Sequence, residues 1–215
     1  MQAASEYATR VGESKMANEG VDRRRRRFLV AATSVVGGAG VVAVAAPFLA
    51  SWKPSARAQA AGAPVEVNVS QIEPGQRISV AWRGRPIWVV RRTPEMLELL
   101  PQIRDRLRDP DSDVITQQPV YAQNEHRSVR PEILVLVGIC THLGCSPAFR
   151  PEIGAPEVGA DWPGGWLCAC HGSRFDMAGR VYRNVPAALN LQVPPYYFAS
   201  DDLIIVGEDA DGGTA

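Results

Sequence analysis

The chain has 215 residues, 23 basic and 23 acidic, and so no net charge. That excludes nucleic-acid binding spread over the whole surface, which needs a basic surplus. Hydrophobic residues make up 46% and charged residues 21%, too apolar a mixture for wholesale disorder.

The charges are unevenly placed. Residues 1–27 hold 7 basic and 4 acidic residues, residues 28–52 hold none, and residues 53–215 keep 16 basic and 19 acidic. This is the layout of a membrane anchor followed by a mildly acidic head. Residues 1–15 read as unstructured, and Met16, which opens a compact polar lead, is the expected start. Arg23 to Arg27 are followed by Phe28-Leu29, a pattern that resembles a twin-arginine export signal. The uncharged run from Phe28 to Trp52 is 25 residues, longer than a cleaved signal core and long enough to span a bilayer. A retained single-pass anchor over 28–52 is therefore expected, although Ala56-Arg57-Ala58 and Ala58-Gln59-Ala60 resemble cleavage sites. The arginines of segment 1–27 would stay cytoplasmic and the head would lie outside the cytoplasm. Residues 53–64, rich in Ala, Pro and Ser, read as a flexible hinge linker.

The head, 65–215, reads as mainly β. Val65–Val69 alternates as a half-buried strand. Arg77–Trp82 and Pro86–Arg91 flank Arg83-Gly84-Arg85 and predict a hairpin. Thr93-Pro94-Glu95 starts a helix that runs to about Leu107 with a break at Pro101. Residues 109–119 read as loop. The apolar run Ile133–Ile139 is a buried strand delivering Cys140, and Gly165-Trp166-Leu167 delivers Cys168. Tyr196–Phe198 and Leu203–Val206 predict a closing hairpin. Trp82, Trp88, Trp162 and Trp166 read as packing residues, His126 as a surface histidine, and Asp161 and Asp176 as turn residues.

All four cysteines and two of the three histidines fall within 32 residues. One cluster is Cys140-Thr-His142-Leu143-Gly144-Cys145. The other is Cys168-Ala-Cys170-His171-Gly172-Ser173. Mixed sulfur and nitrogen donors suit zinc or an iron–sulfur centre. Six candidate ligands exceed one four-ligand site by two, and in an exported head a disulfide between one cysteine of each loop resolves the count.

These two loops resemble the two boxes of the Rieske iron–sulfur subunit of the cytochrome bc1 family, in its bacterial form. The resemblance covers the anchor, the linker and almost the whole head. It implies an antiparallel β head with a short helical insertion and a cluster-binding part at about 138–187. It implies one [2Fe-2S] cluster, with Cys140 and Cys168 on one iron and His142 and His171 on the other. It implies a Cys145–Cys170 disulfide, a Ser173 hydroxyl bonded to a cluster sulfide, and Leu143 beside the quinone pocket. By the family pattern His171 contacts quinol, with ubiquinol the expected species, and takes an electron and a proton. The head then swings to cytochrome c1. Cytochrome b, membrane lipid and a dimeric complex are the implied surroundings, the bacterial inner membrane the implied location, and the periplasm the implied site of the head.

The composition tests the alternatives. A Rieske oxygenase needs two further histidines for a mononuclear iron, and only His126 remains. The Rieske subunit of another periplasmic oxidoreductase, such as arsenite oxidase, shares the signal and the cysteines, but the anchor and Leu143 count against it. A zinc- or disulfide-stapled binding module is the non-redox alternative. The chain also departs from the family at two places. Val185-Pro186-Ala187-Ala188 stands where Gly-Pro-Ala-Pro is usual, and Phe175 stands where the family often has a tyrosine that donates to a ligand sulfur. Hydrogen bonds to sulfur favour the reduced centre. At roughly 0.5–1.5 kcal/mol for one bond, Phe175→Tyr is expected to raise the midpoint potential by about 20–65 mV in a redox titration, and an unchanged or lower potential contradicts this.

Overall fold

The computed structural model describes residues 22–210. The expected start at Met16 lies outside the described residues. The described residues fall into two units, which meet in the chain between Ser55 and Ala56.

The first unit is built on α1, Arg23–Ser51, 29 residues or about 43 Å at 1.5 Å per residue. Asp22 caps it, its Oδ1 accepting from the Arg24 and Arg25 amides at 2.9 and 3.2 Å. No residue of α1 is buried, and the helix is long and apolar enough to cross a membrane. Within the linker stretch, Ala56–Gly62 forms a short helix, α2, which the sequence reading did not foresee. Its alanines, the best helix formers, explain it.

The head contains three antiparallel three-stranded sheets. β1 (Val65–Asn68) pairs with β9 (Leu203–Val206), which pairs with β8 (Tyr196–Phe198), so the two ends of the head share one sheet. β2 (Arg77–Trp82) and β3 (Arg85–Arg91) form the expected hairpin, and β4 (Ile133–Val137) adds to β3. Arg83 and Gly84 both take positive φ, 50° and 72°, the conformation a two-residue hairpin turn requires. β5 (Ala148–Arg150), β6 (Gly165–Cys168) and β7 (Ser173–Phe175) make the third sheet. The helical insertion is α3 (Pro94–Leu99), capped by Thr93, followed by a 3₁₀ helix at Pro101–Arg106. The break falls at Pro101, as the sequence predicts. The 109–119 loop carries one 3₁₀ turn, Ile115–Gln117.

One core joins all three sheets. Ile87, Val135, Leu136, Trp88, Trp166, Phe175 and Ile204 belong to it together with Cys140 and Cys168. Trp88 and Trp166 stack with centroids 5.8 Å apart and planes 2° from parallel. All four tryptophans read as packing residues are buried.

A second, polar framework runs through the head. Arg92, Arg127 and Arg180 are buried, against one buried carboxylate among the described residues, Asp176. The sequence reading places Asp176 in a turn, and so it is: its Oδ1 accepts from the Ala178 and Arg180 amides. It is also fully buried, and its Oδ2 lies 2.7 Å from the Arg180 guanidinium. The arginines reach backbone carbonyls of distant segments. Arg92 donates to Pro131, His126 and Met177, Arg127 to Gln117 and Ala178, and Arg180 to Leu100. Burial lowers the Arg92 and Arg127 pKa values to about 10, which leaves both charged at neutral pH. His126, expected at the surface, is half-buried, because its carbonyl anchors Arg92. Breaking a buried pair strands a charge. Asp176→Ala is therefore expected to cost about 3–5 kcal/mol in denaturant unfolding of the full chain. Asp161→Ala, which removes the exposed Arg106–Asp161 pair at 2.8 Å, should cost at most about 1 kcal/mol. Equal effects would contradict this division.

Candidate metal centre

Two loops with the same closure carry the candidate ligands. β4 ends at Val137, and Gly138-Ile139 leads to Cys140. The Gly144 amide donates to the Cys140 carbonyl at 3.1 Å, and the Cys140 amide to the Cys145 carbonyl at 2.7 Å. In the second loop β6 ends at Cys168, and the Gly172 amide donates to the Cys168 carbonyl at 2.8 Å. Gly144 and Gly172 take φ of 84° and 76°, a conformation costly for residues with a Cβ. No atom lies within 4 Å of a Cβ built at either, so conformation rather than crowding requires glycine there. Gly138 is different, because a Cβ there would run into the Trp88 indole.

Cys145 and Cys170 are joined in a disulfide, which ties loop to loop. Cys140 and Cys168 are free thiols and both buried. The sulfurs of Cys145, Cys168 and Cys170 lie within 4.8 Å of one another, but two of the three are already bonded together, so this trio is not a ligand set. The His142 and His171 rings meet edge to face, centroids 4.7 Å apart. His142 Nδ1 is buried and has no hydrogen-bond partner.

A third segment closes over both loops. The Thr141 hydroxyl donates to the Leu189 carbonyl at 2.6 Å, and the Ala187 amide donates to Ser173 Oγ at 3.0 Å. Only Pro186-Ala187 survives of the family's usual loop, yet the residue that makes the bond is among those retained. Burial pushes the Cys140 thiol up, while the His142 amide and the Ser173 hydroxyl pull it down. Leu143 stands at the tip, 71% exposed.

This donor set fits a mixed-ligand iron–sulfur centre. Two buried thiols remain outside the disulfide, and the two imidazoles touch, one with a buried nitrogen that lacks a hydrogen-bond partner. A buried nitrogen without a partner is costly unless something binds it. The candidate ligands named from sequence, Cys140, His142, Cys168 and His171, are thus brought into one place, with Ser173 beside them. The sequence reading missed Thr141, Gly138 and Leu189. A hydroxyl next to the first cysteine and a glycine ending an apolar strand were the available signals.

Residues 63–195 match the Rieske [2Fe-2S] domain family, and residues 15–55 match the family described as the ubiquitinol-cytochrome C reductase Fe-S subunit TAT signal. The chain is 56% identical over 194 residues to the ubiquinol-cytochrome c reductase iron-sulfur subunit of Allochromatium vinosum, covering 90% of this chain and 93% of that protein. It is 40% identical over 196 residues to the subunit of the same name from Rhodospirillum rubrum, covering 91% and 98%. The counterpart from Blastochloris viridis is 42% identical over 185 residues, covering 85% and 92%. The chain belongs to the Rieske iron–sulfur subunits of ubiquinol–cytochrome c reductase.

The inter-loop disulfide ties together the two loops that carry the four candidate donors. A cross-link closing a loop of about 25 residues stabilises by roughly 3–4 kcal/mol. Cys145→Ser and Cys170→Ser are each expected to lower unfolding stability by about that amount and to reduce bound iron, measured by denaturation and metal analysis. Iron content equal to wild type in both variants would contradict the role given to the disulfide.

Proposed function

We propose that the chain is the electron-transfer subunit of a quinol:cytochrome c oxidoreductase, with Cys140 and Cys168 holding one iron of a [2Fe-2S] cluster and His142 and His171 the other. The observation that carries the assignment is the His142–His171 contact, with its unpartnered Nδ1, beside two free buried thiols. When bound, the cluster supplies a one-electron acceptor whose potential is raised by imidazole in place of thiolate.

The chain's own residues do the rest. His171 is exposed, so its outward ring nitrogen accepts a hydrogen bond, and then a proton, from a quinol hydroxyl. Leu143 and Gly144 give the tip an apolar side suited to a quinone ring. The disulfide and the Thr141–Leu189 bond keep the loops from spreading when the tip changes partner. Ser173 and the His142 amide favour negative charge on the Cys140 sulfur. Cytochrome b and cytochrome c1 are the partners of such a subunit. The 53–64 segment is the hinge that lets the head travel between them, with α2 as a short stiff piece within it. The cytoplasmic arginines of the N-terminal segment, the bacterial inner membrane and a periplasmic head complete this reading, which the anchor helix and the match at 15–55 support. The identities to the reductase subunits favour it over an arsenite-oxidase-type partner.

Two variants separate the cluster from the quinol contact. In membranes holding the assembled complex, Cys168→Ser should remove the iron–sulfur signal and quinol-dependent cytochrome reduction together. Leu143→Asp should keep the signal while lowering the rate about ten-fold or more, the loss expected for a charge set against an apolar ring. An undiminished rate in Leu143→Asp would contradict the quinol-side role.

A further inference from the structure

Exposed apolar side chains gather in one part of the head. Among the described residues from Val65 onward, six large hydrophobic side chains are exposed. Leu143 stands at the tip, and Ile153 lies in the connection between β5 and β6. The other four, Ile115, Val120, Tyr121 and Val129, line a single groove of about 820 Å³. Val120 is 89% exposed. Single apolar residues are ordinary on a protein surface, whereas a contiguous group marks a contact. The edge strand β8 adds Tyr196 and Phe198 to the lining. The Tyr121 hydroxyl accepts from the Tyr196 amide at 2.8 Å and donates to Asp209 at 3.0 Å. The aromatic wall of the groove is thereby held in place before any partner arrives, which lowers the cost of binding.

The groove stands apart from the ligand loops. Tyr196 pairs with Val206 and Val206 with Val65, so it opens two strand spacings, about 10 Å, from the point where the chain enters the head. The ligand loops leave the other two sheets, and neither the candidate ligands nor Leu143 lines the groove. Its surroundings are acidic. Segments 119–132 and 196–210 hold 6 acidic and 2 basic residues. Of the two, Arg127 is buried against backbone carbonyls. Arg130 lines the groove but is already engaged, paired with Asp201 at 3.0 Å and lying 4.0 Å from the centre of the Phe198 ring. The acids Glu125, Glu132, Asp201, Asp202, Glu208 and Asp209 are all exposed or half-buried.

We propose that this groove docks a protein segment that presents apolar side chains flanked by lysine or arginine. The apolar lining takes the first part of that segment and the surrounding carboxylates the second, the usual division between the core and the rim of an interface. Charge decides the occupant. A second copy of this chain would set the same acids against each other, and anionic lipid head groups would be repelled in the same way. A basic partner is attracted, and its association falls with salt, because screening acts over about 8 Å at physiological ionic strength. The site lies outside the electron-transfer reading and does not depend on it.

The test uses native membranes holding the full chain. A photoreactive benzoylphenylalanine replaces Val120 in one preparation and Ile153, outside the groove, in another. After irradiation the products are separated and the joined peptide is sequenced by mass spectrometry. At low salt the Val120 position should give one protein product, joined through a peptide with lysine or arginine beside apolar residues, and the Ile153 position should not give it. Its yield should fall about ten-fold in the double variant Asp201→Lys, Glu208→Lys, and again as salt is added, with the amount of full-length chain in the membrane unchanged. A product with lipid, with a second copy of this chain or with a peptide lacking basic residues would overturn the proposal. So would no product, or a yield indifferent to salt and to the double variant. Each of those results leaves the electron-transfer reading intact, since that reading stands or falls on the iron–sulfur signal.

Discussion

The candidate ligands are divided two and two between loops that leave different strands, and one covalent bond, Cys145–Cys170, holds those loops together. Each loop closes on itself through a glycine amide bonded to its first cysteine carbonyl, so each is internally defined. Nothing in that closure sets the distance between the loops. The disulfide ties them to each other, while the two remaining thiols are buried in the core and two imidazoles meet at 4.7 Å. Thr141 and Ser173 then fasten a third segment across both loops. The result is a site assembled from the β4–β5 connection, the end of the β6–β7 hairpin and a strap, with little regular structure of its own.

Behind it, the head is held by two frameworks of different kinds. The apolar one joins all three sheets through stacked Trp88 and Trp166, and it includes both free cysteines. The polar one is a set of buried arginines whose guanidiniums bond to carbonyls of loops that carry no strand partners. Such carbonyls must find donors when buried, and arginine supplies several from one side chain. Asp176 balances one of the three charges and lies three residues beyond Ser173. The turn that follows the second ligand loop is thereby tied to the helical insertion, and mechanical stability reaches the site from that side.

Much of this was legible in the sequence, and the reasons for the rest are physical. The β2–β3 hairpin and the helix break at Pro101 follow from local turn and capping chemistry, which is why they were predicted within a residue. The ligand loops were visible because cysteine and histidine have few other uses at such spacing. β5 and β7, three residues each, have no periodicity to read and exist only through pairing with β6. Asp176 looks like any turn aspartate, since its burial depends on Arg180 folding back against it. Arg92 and Arg127 look like surface charges for the same reason. Thr141 required knowledge of where Leu189 lies, 48 residues away.

The central claim is that two cysteines and two histidines share one cluster. EPR of ascorbate- or dithionite-reduced membranes, repeated with His142→Ala, tests it most directly. The account predicts a rhombic signal whose mean g lies below the free-electron value, present in the wild type and lost in the variant. No such signal in iron-replete cells, or one that survives His142→Ala unchanged, would contradict it.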